Sequence, residues 1–144
     1  MTTEVEATFS TCFGAPFWPL PPTRYSSMLS EKIRRHSARC YMVNTGWSGG
    51  PYGVGDRIDL AHTREMVRAA IAGRLDGVDA DPVFGLNVPA SVPGVPNGIL
   101  DPRETWYDKD AYDEQARKLA DLFKENFELF AGEVEEGVRR AGPR

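Results

Sequence analysis

Cys40-Tyr-Met-Val-Asn44 is a short, apolar, β-prone run that leads into Thr45-Gly-Trp-Ser-Gly-Gly-Pro-Tyr-Gly-Val-Gly55. Arg57-Ile-Asp-Leu60 follows, and then Thr63 opens a helical repeat of Met66, Val67, Ala70 and Ile71. This order predicts two strands joined by a glycine-rich loop, the second strand delivered onto a helix N-terminus. Thr63 is expected to cap the helix, and Gly73 lies near its end. Strands alternating with helices make the chain mixed α/β.

Upstream, Tyr25, Met28, Leu29 and Ile33 recur at helical spacing within Thr23–Arg35, and Pro22 suits a first helical turn. The aromatic-rich run from Ala7 to Phe17 begins abruptly and reads as the continuation of something longer. Phe9, Phe13, Phe17 and Trp18 are the candidates for an apolar surface facing a missing neighbour. Downstream, Val83–Val88 is a further candidate strand, and Pro89, Pro93 and Pro96 space an extended connection to Ile99-Leu-Asp-Pro-Arg103. Asp108 is expected to cap a final helix running through Ala131, whose one face carries Tyr112, Ala116, Leu119, Phe123, Phe127 and Phe130. Residues 1–131 thus read as the packed portion, and 132–144 as a charged tail expected to fray or pack weakly.

The 144 residues fit one ordinary domain, and 41% hydrophobic content is enough to expect a core of its own. A net charge of -4, with both signs interspersed, gives no electrostatic footprint for nucleic acid or an anionic membrane. No run approaches the roughly 18 apolar residues of a membrane span, and the acidic start Met-Thr-Thr-Glu-Val-Glu is unlike a signal peptide. A soluble cytoplasmic protein is the expectation. Cys12 and Cys40 form no Cys-x-x-Cys pair, and His36 and His62 have no ligand spacing with them, so no metal site is read here.

Clustered glycines let a backbone approach a ligand closely, so residues 45–55 are one place for chemistry. No lysine and hydroxyl follow at phosphate-loop spacing, and Gly53-Val-Gly55 does not continue as Gly-x-Gly-x-x-Gly. Composition alone favours a structural turn. The more informative unit is Arg57, Ile58 and Thr63: a guanidinium plane can stack on a purine, an isoleucine can cover its face, and a threonine can make polar contacts at the base edge. From the residues alone, a surface arginine and an N-cap threonine remain the commoner reading. His62 lacks a carboxylate placed by sequence to tune it, Asp101, Arg103 and Glu104 suit ion pairing, and no serine sits in a nucleophile-elbow context. No catalytic residue is assigned.

The ordered series Thr8-Phe-Ser-Thr-Cys-Phe-Gly-Ala-Pro-Phe17, Tyr41-Met-Val-Asn-Thr-Gly-Trp47, Arg57-Ile58 with Thr63-Arg64, Ile99-Leu-Asp-Pro-Arg103 and the closing aromatic helix resembles the C-terminal region of ATP-utilising phosphoenolpyruvate carboxykinases. The resemblance covers nearly the whole chain. It implies the C-terminal, nucleotide-side domain of that family's fold, with helices packed on a short mixed sheet. The implied activity is a lyase and decarboxylase reaction of gluconeogenesis: oxaloacetate and ATP to phosphoenolpyruvate, carbon dioxide and ADP, with magnesium and manganese.

The resemblance turns Arg57, Ile58 and Thr63 into the expected contacts for the adenine and ribose end of ATP. Asp56 stands where the family commonly has a basic residue. The family's phosphate loop, metal ligands and oxaloacetate-binding arginines are expected in sequence preceding Met1, as a partner portion in cis or in trans. The chain alone is therefore expected to be inactive. The alternative is a non-catalytic remnant or a weak adenine-nucleotide-binding module.

Overall fold

The computed structural model describes residues 9–10, 14–51, 53–75 and 78–144. The expectations placed on Cys12 and Phe13 lie outside them. The chain divides into two compact units, one of Met1–Cys40 with Phe123–Gly142, the other of Tyr41–Leu122 with Pro143–Arg144.

In the first unit, α1 (Pro22–His36) forms where the periodicity places it. Pro22 occupies the first helical turn, where a missing N–H costs nothing, and Arg34, Arg35 and His36 end the helix next to its negative pole. Ser37 then turns left-handed at φ 49°, and the Ala38 N–H returns to the Ile33 carbonyl. Trp18 packs on Tyr25 with ring centres 4.4 Å apart, and Phe9 meets Phe123 edge-on at 5.3 Å. The Thr23 hydroxyl donates to Glu133 at 2.7 Å. Ala131–Glu133 make a 3-10 turn, and α6 (Glu136–Arg139), which buries no residue, carries a Glu136–Arg140 pair of 2.8 Å.

The second unit begins with a hairpin, β1 (Trp47–Ser48) antiparallel to β2 (Asp56–Arg57). The strand expected at Cys40–Asn44 does not form. The Asn44 side chain instead accepts from the Gly46 N–H at 2.9 Å and donates to the Trp47 carbonyl at 3.2 Å, turning the chain and delaying the ladder to Trp47. The strand expected at Arg57–Leu60 is likewise cut short, because α2 runs from Leu60 to Ile71.

Asp59, not Thr63, caps α2: its carboxylate accepts from the Ala61 N–H at 2.8 Å, one turn earlier than the periodicity suggests. Thr63 lies inside the first turn, its hydroxyl donating back to the Asp59 carbonyl at 3.3 Å. The inward face also differs from the expected one. Ala69 is buried and Met66 packs beside it, whereas Val67 and Ile71 are exposed. Gly73 ends the helix region at φ 65°, as read.

β3 (Val78–Ala80) pairs antiparallel with β4 (Asn87–Pro89). The candidate strand at Val83–Val88 is thereby split: the Asp81 carboxylate accepts from the N–H groups of Val83 and Phe84, making that half a turn. The short mixed sheet anticipated is therefore, among the described residues, two separate antiparallel ladders of two strands each. Single helical turns α3 (Asn97–Leu100) and α4 (Pro102–Thr105) follow, with Asp101 capping α4 through the Arg103 N–H.

The long helix α5 spans Lys109–Phe127. Asp108 caps it as expected, accepting from the Ala111 N–H at 3.0 Å. It stops short of Ala131 because Phe130 closes a turn onto Phe127. None of the described helices is long and apolar enough to cross a membrane.

Burial is thin. Among the described residues the buried hydrophobics are Ala69, Val92, Val95, Ala116 and Ala120, none larger than valine. Val92, Val95 and Ala69 form the centre of the second unit, with Met66, Leu75, Ile99 and Leu100 partly covered around them. Composition alone had suggested a self-sufficient core, but large apolar side chains stay outside, including Phe17 at 86% exposure and Leu129 at 75%. A surface of this kind suits covering by further protein.

Candidate functional site

Backbone hydrogen bonds hold the described residues between β1 and β2. The N–H groups of Val54 and Gly55 both donate to the Pro51 carbonyl at 3.0 Å, and the Ile58 N–H donates to Gly46 at 2.9 Å beneath the ladder. Gly55 admits no side chain, since a Cβ there would sit 2.6 Å from the Ser48 carbonyl oxygen and 2.7 Å from that of Gly50. These contacts are those of a structural turn, the reading that composition favours for the glycine-rich loop.

Thr105 at the end of α4 ties this loop to the next element. Its hydroxyl donates to the Pro102 carbonyl at 2.7 Å and accepts from the Ser48 hydroxyl at 3.0 Å and the Gly49 N–H at 3.1 Å. Gly49 is left-handed at φ 85°, and a Cβ there would lie 3.1 Å from the Thr105 carbonyl oxygen. α4 is in turn anchored. Arg103 clasps Asp113 of α5 through Nε to Oδ1 at 2.8 Å and Nη2 to Oδ2 at 3.0 Å, while Lys109 donates to the carbonyls of Arg103 and Glu104 at 2.9 Å. The ion pairing expected of Arg103 and Glu104 is thus made with Asp113 and Lys109.

Loop, hairpin, the start of α2, α3 and α4 border an open cleft of about 420 Å³. Arg57 and Ile58 both line it, along with Ser48 and Thr105 from either side of the tie just described. Ile99 and Val54 add apolar wall, and Asp56, Asp59 and His62 supply the remaining titratable groups. Thr63 is not part of the lining. Two of the three residues read from sequence therefore meet in one cleft, and the third lies within the helix that begins beside it.

Cross-strand pairing sorts the hairpin side chains. Trp47 pairs with Arg57 and Ser48 with Asp56, so each pair shares a face and the two faces are opposite. On the first face the Arg57 guanidinium carbon lies 5.5 Å from the centre of the Trp47 ring.

The arrangement can hold a flat, partly apolar group, with Ile58 and Ile99 against its plane and polar groups at its rim. It does not suit a divalent cation, because nowhere among the described residues do three His, Cys, Asp or Glu side chains converge. Ser48, Ile99 and Thr105 were not readable as site residues: a serine more than fifty positions before an isoleucine and a threonine shares no local motif with them.

Residues 1–98 match the family model for phosphoenolpyruvate carboxykinase. A phosphoenolpyruvate carboxykinase (ATP) of Rubrobacter xylanophilus is 67% identical over 132 residues, which is 90% of this chain and 25% of that protein. Proteins of the same name from Caldanaerobacter subterraneus subsp. tengcongensis and Thermus thermophilus are 58% and 59% identical over 144 residues, 99% of this chain and 27% of each relative. The chain spans about a quarter of the length of these curated relatives. On these matches the chain belongs to the phosphoenolpyruvate carboxykinase (ATP) family.

Proposed function

We propose that this chain is a C-terminal portion, with residues 1–131 on the nucleotide side, of an enzyme that converts oxaloacetate and ATP to phosphoenolpyruvate, carbon dioxide and ADP in gluconeogenesis. Its own task is to seat the adenine and ribose of ATP. The observation that carries the reading is the convergence of Arg57 and Ile58 on a cleft whose glycine-rich wall is fixed by Thr105. Arg57, whose guanidinium lies over Trp47, is the purine's stacking partner in this reading, and Ile58 and Thr63, the latter from the first turn of α2, are its further contacts.

Phosphoryl transfer needs cations at the β- and γ-phosphates, and the described residues supply no ligand set for magnesium or manganese. Those ions, the oxaloacetate site and the phosphate-binding groups belong to the remainder of the enzyme, joined in cis or docked in trans, in the cytoplasm. The large apolar side chains left outside, Phe17 and Leu129 among them, are the surface that such a portion covers.

The test is phosphoenolpyruvate formation from oxaloacetate and ATP with both metals present. The 144-residue chain alone should give none, and addition of the remaining three quarters of a close relative should restore it, with Arg57→Ala raising the KM for ATP. Turnover by the chain alone would contradict the reading.

A further inference from the structure

The turn α4 is four residues long, too short to hold its own place in water, so the groups bonded to it decide where it lies. Asp101 caps it through the Arg103 N–H, a bond that shapes the turn without locating it. Its location comes from α5, a helix of 19 residues. Lys109 and Asp113 stand one helical turn apart and share an edge of α5. Both reach α4: Lys109 donates to the Arg103 and Glu104 carbonyls at 2.9 Å, and the two Asp113 oxygens accept from the Arg103 guanidinium at 2.8 and 3.0 Å. A planar fork held at two points fixes direction as well as distance.

At the far end of the same turn, the Thr105 hydroxyl accepts from Ser48 and from the Gly49 N–H. The join has little slack. Withdrawal of α4 breaks these bonds, and approach is opposed at Gly49, where a Cβ would already lie 3.1 Å from the Thr105 carbonyl oxygen. Arg103 and Asp113 are both outside the lining of the cleft, whereas Gly49 and Thr105 are within it. We propose that Asp113 is a positioning residue for the cleft, acting through Arg103 and Thr105 to hold the glycine-rich wall in place. Its effect on a ligand rests on the reading of this cleft as a seat for ATP; its effect on the loop does not.

The experiment is residue-resolved amide hydrogen exchange of the full chain, beside calorimetric titration with ATP. Asp113→Asn removes the charge and one acceptor oxygen, and Arg103→Lys keeps the charge but loses the fork. Each should speed exchange at Gly49 roughly threefold, the scale of a partly exposed pair, while Ile58, whose N–H is held by the Gly46 carbonyl, stays as it was. Each should weaken ATP binding by a similar factor, and so should Thr105→Val. Asp113→Asn added to Thr105→Val should weaken it no further, because loss of the hydroxyl has already uncoupled the loop from α4. Circular dichroism checks that α5 survives, and Arg103→Lys decides the matter if Asp113→Asn unfolds it.

Unchanged exchange at Gly49, or a rise shared equally by Ile58, would overturn the positioning role, the second by showing a general loss of stability. Additive losses of ATP affinity from Asp113→Asn and Thr105→Val would overturn it as well. If the unchanged chain binds no ATP, the nucleotide reading fails, and exchange at Gly49 still decides whether Asp113 positions the loop.

Discussion

Trp47 and Arg57 face each other across the β1–β2 ladder, with the guanidinium carbon 5.5 Å from the ring centre. The contact orients the one cation that the hairpin brings to the cleft. A guanidinium held over an indole loses fewer side-chain conformations when a base stacks on it. Trp47→Leu should therefore weaken ATP binding by roughly three- to tenfold without removing any group that lines the cleft. Trp47 is also a reporter: nucleotide should change the tryptophan fluorescence of the unchanged chain, and that change should disappear in Trp47→Phe although Trp18 and Trp106 remain.

The loop glycines separate into two kinds, and substitution should tell them apart. At Gly55 a Cβ would meet the Ser48 and Gly50 backbone oxygens at 2.6 and 2.7 Å, so Gly55→Ala forces the hairpin open. A cost of about 2 kcal/mol or more is expected, with loss of nucleotide binding. Gly53, at φ 86° with nothing near its missing Cβ, pays only for its backbone conformation. Gly53→Ala should cost about 1 kcal/mol, and urea unfolding of both variants checks the ordering.

Local periodicity and capping chemistry made α1 and the start of α5 legible, because Pro22 and Asp108 act within one turn of themselves. The β pattern failed where a side chain outbid the ladder: Asn44 folds its amide onto Gly46 and Trp47, and Asp59 captures Ala61 before Thr63 can act as a cap. Of the cleft, Arg57 and Ile58 were legible as a pair of residue types suited to a purine. The tie from Thr105 to Ser48 and Gly49 was not, since it joins positions 57 and 56 residues apart and exists only after α3 and α4 have packed. Nor could the sequence alone reveal that its apolar residues leave no large side chain fully buried among the described residues.

The shift of the cap from Thr63 to Asp59 separates stability from binding. Asp59→Ala should cost about 1 kcal/mol by releasing the Ala61 N–H. Thr63→Val removes only a 3.3 Å bond to a carbonyl already used by the helix and should change stability by less than about 0.5 kcal/mol. If Thr63 serves the nucleotide, its substitution should instead lower ATP affinity severalfold, an effect read by titration at unchanged melting temperature.

The clasp between Arg103 and Asp113 gives the acid limb of stability a specific contributor. The hydrogen bond from Arg103, reinforced by its charge, holds the Asp113 carboxyl below the ordinary carboxylate range, and the same bond raises Arg103. A carboxylate depressed in the folded state adds stability that is fully present above its unfolded value and lost as pH falls through the folded one. Arg103 stays charged throughout and adds no slope. Unfolding midpoints taken from neutral pH downward should therefore fall more gently through the acid range in Asp113→Asn than in the unchanged chain, and parallel curves would show the clasp to be silent.

Calorimetric titration of the purified chain with ATP, beside Arg57→Ala, tests the central claim most directly. The account predicts binding in the millimolar range or tighter, lost in the variant. Absence of heat with either protein, or equal heat with both, would contradict an adenine seat built from Arg57 and Ile58 in this chain.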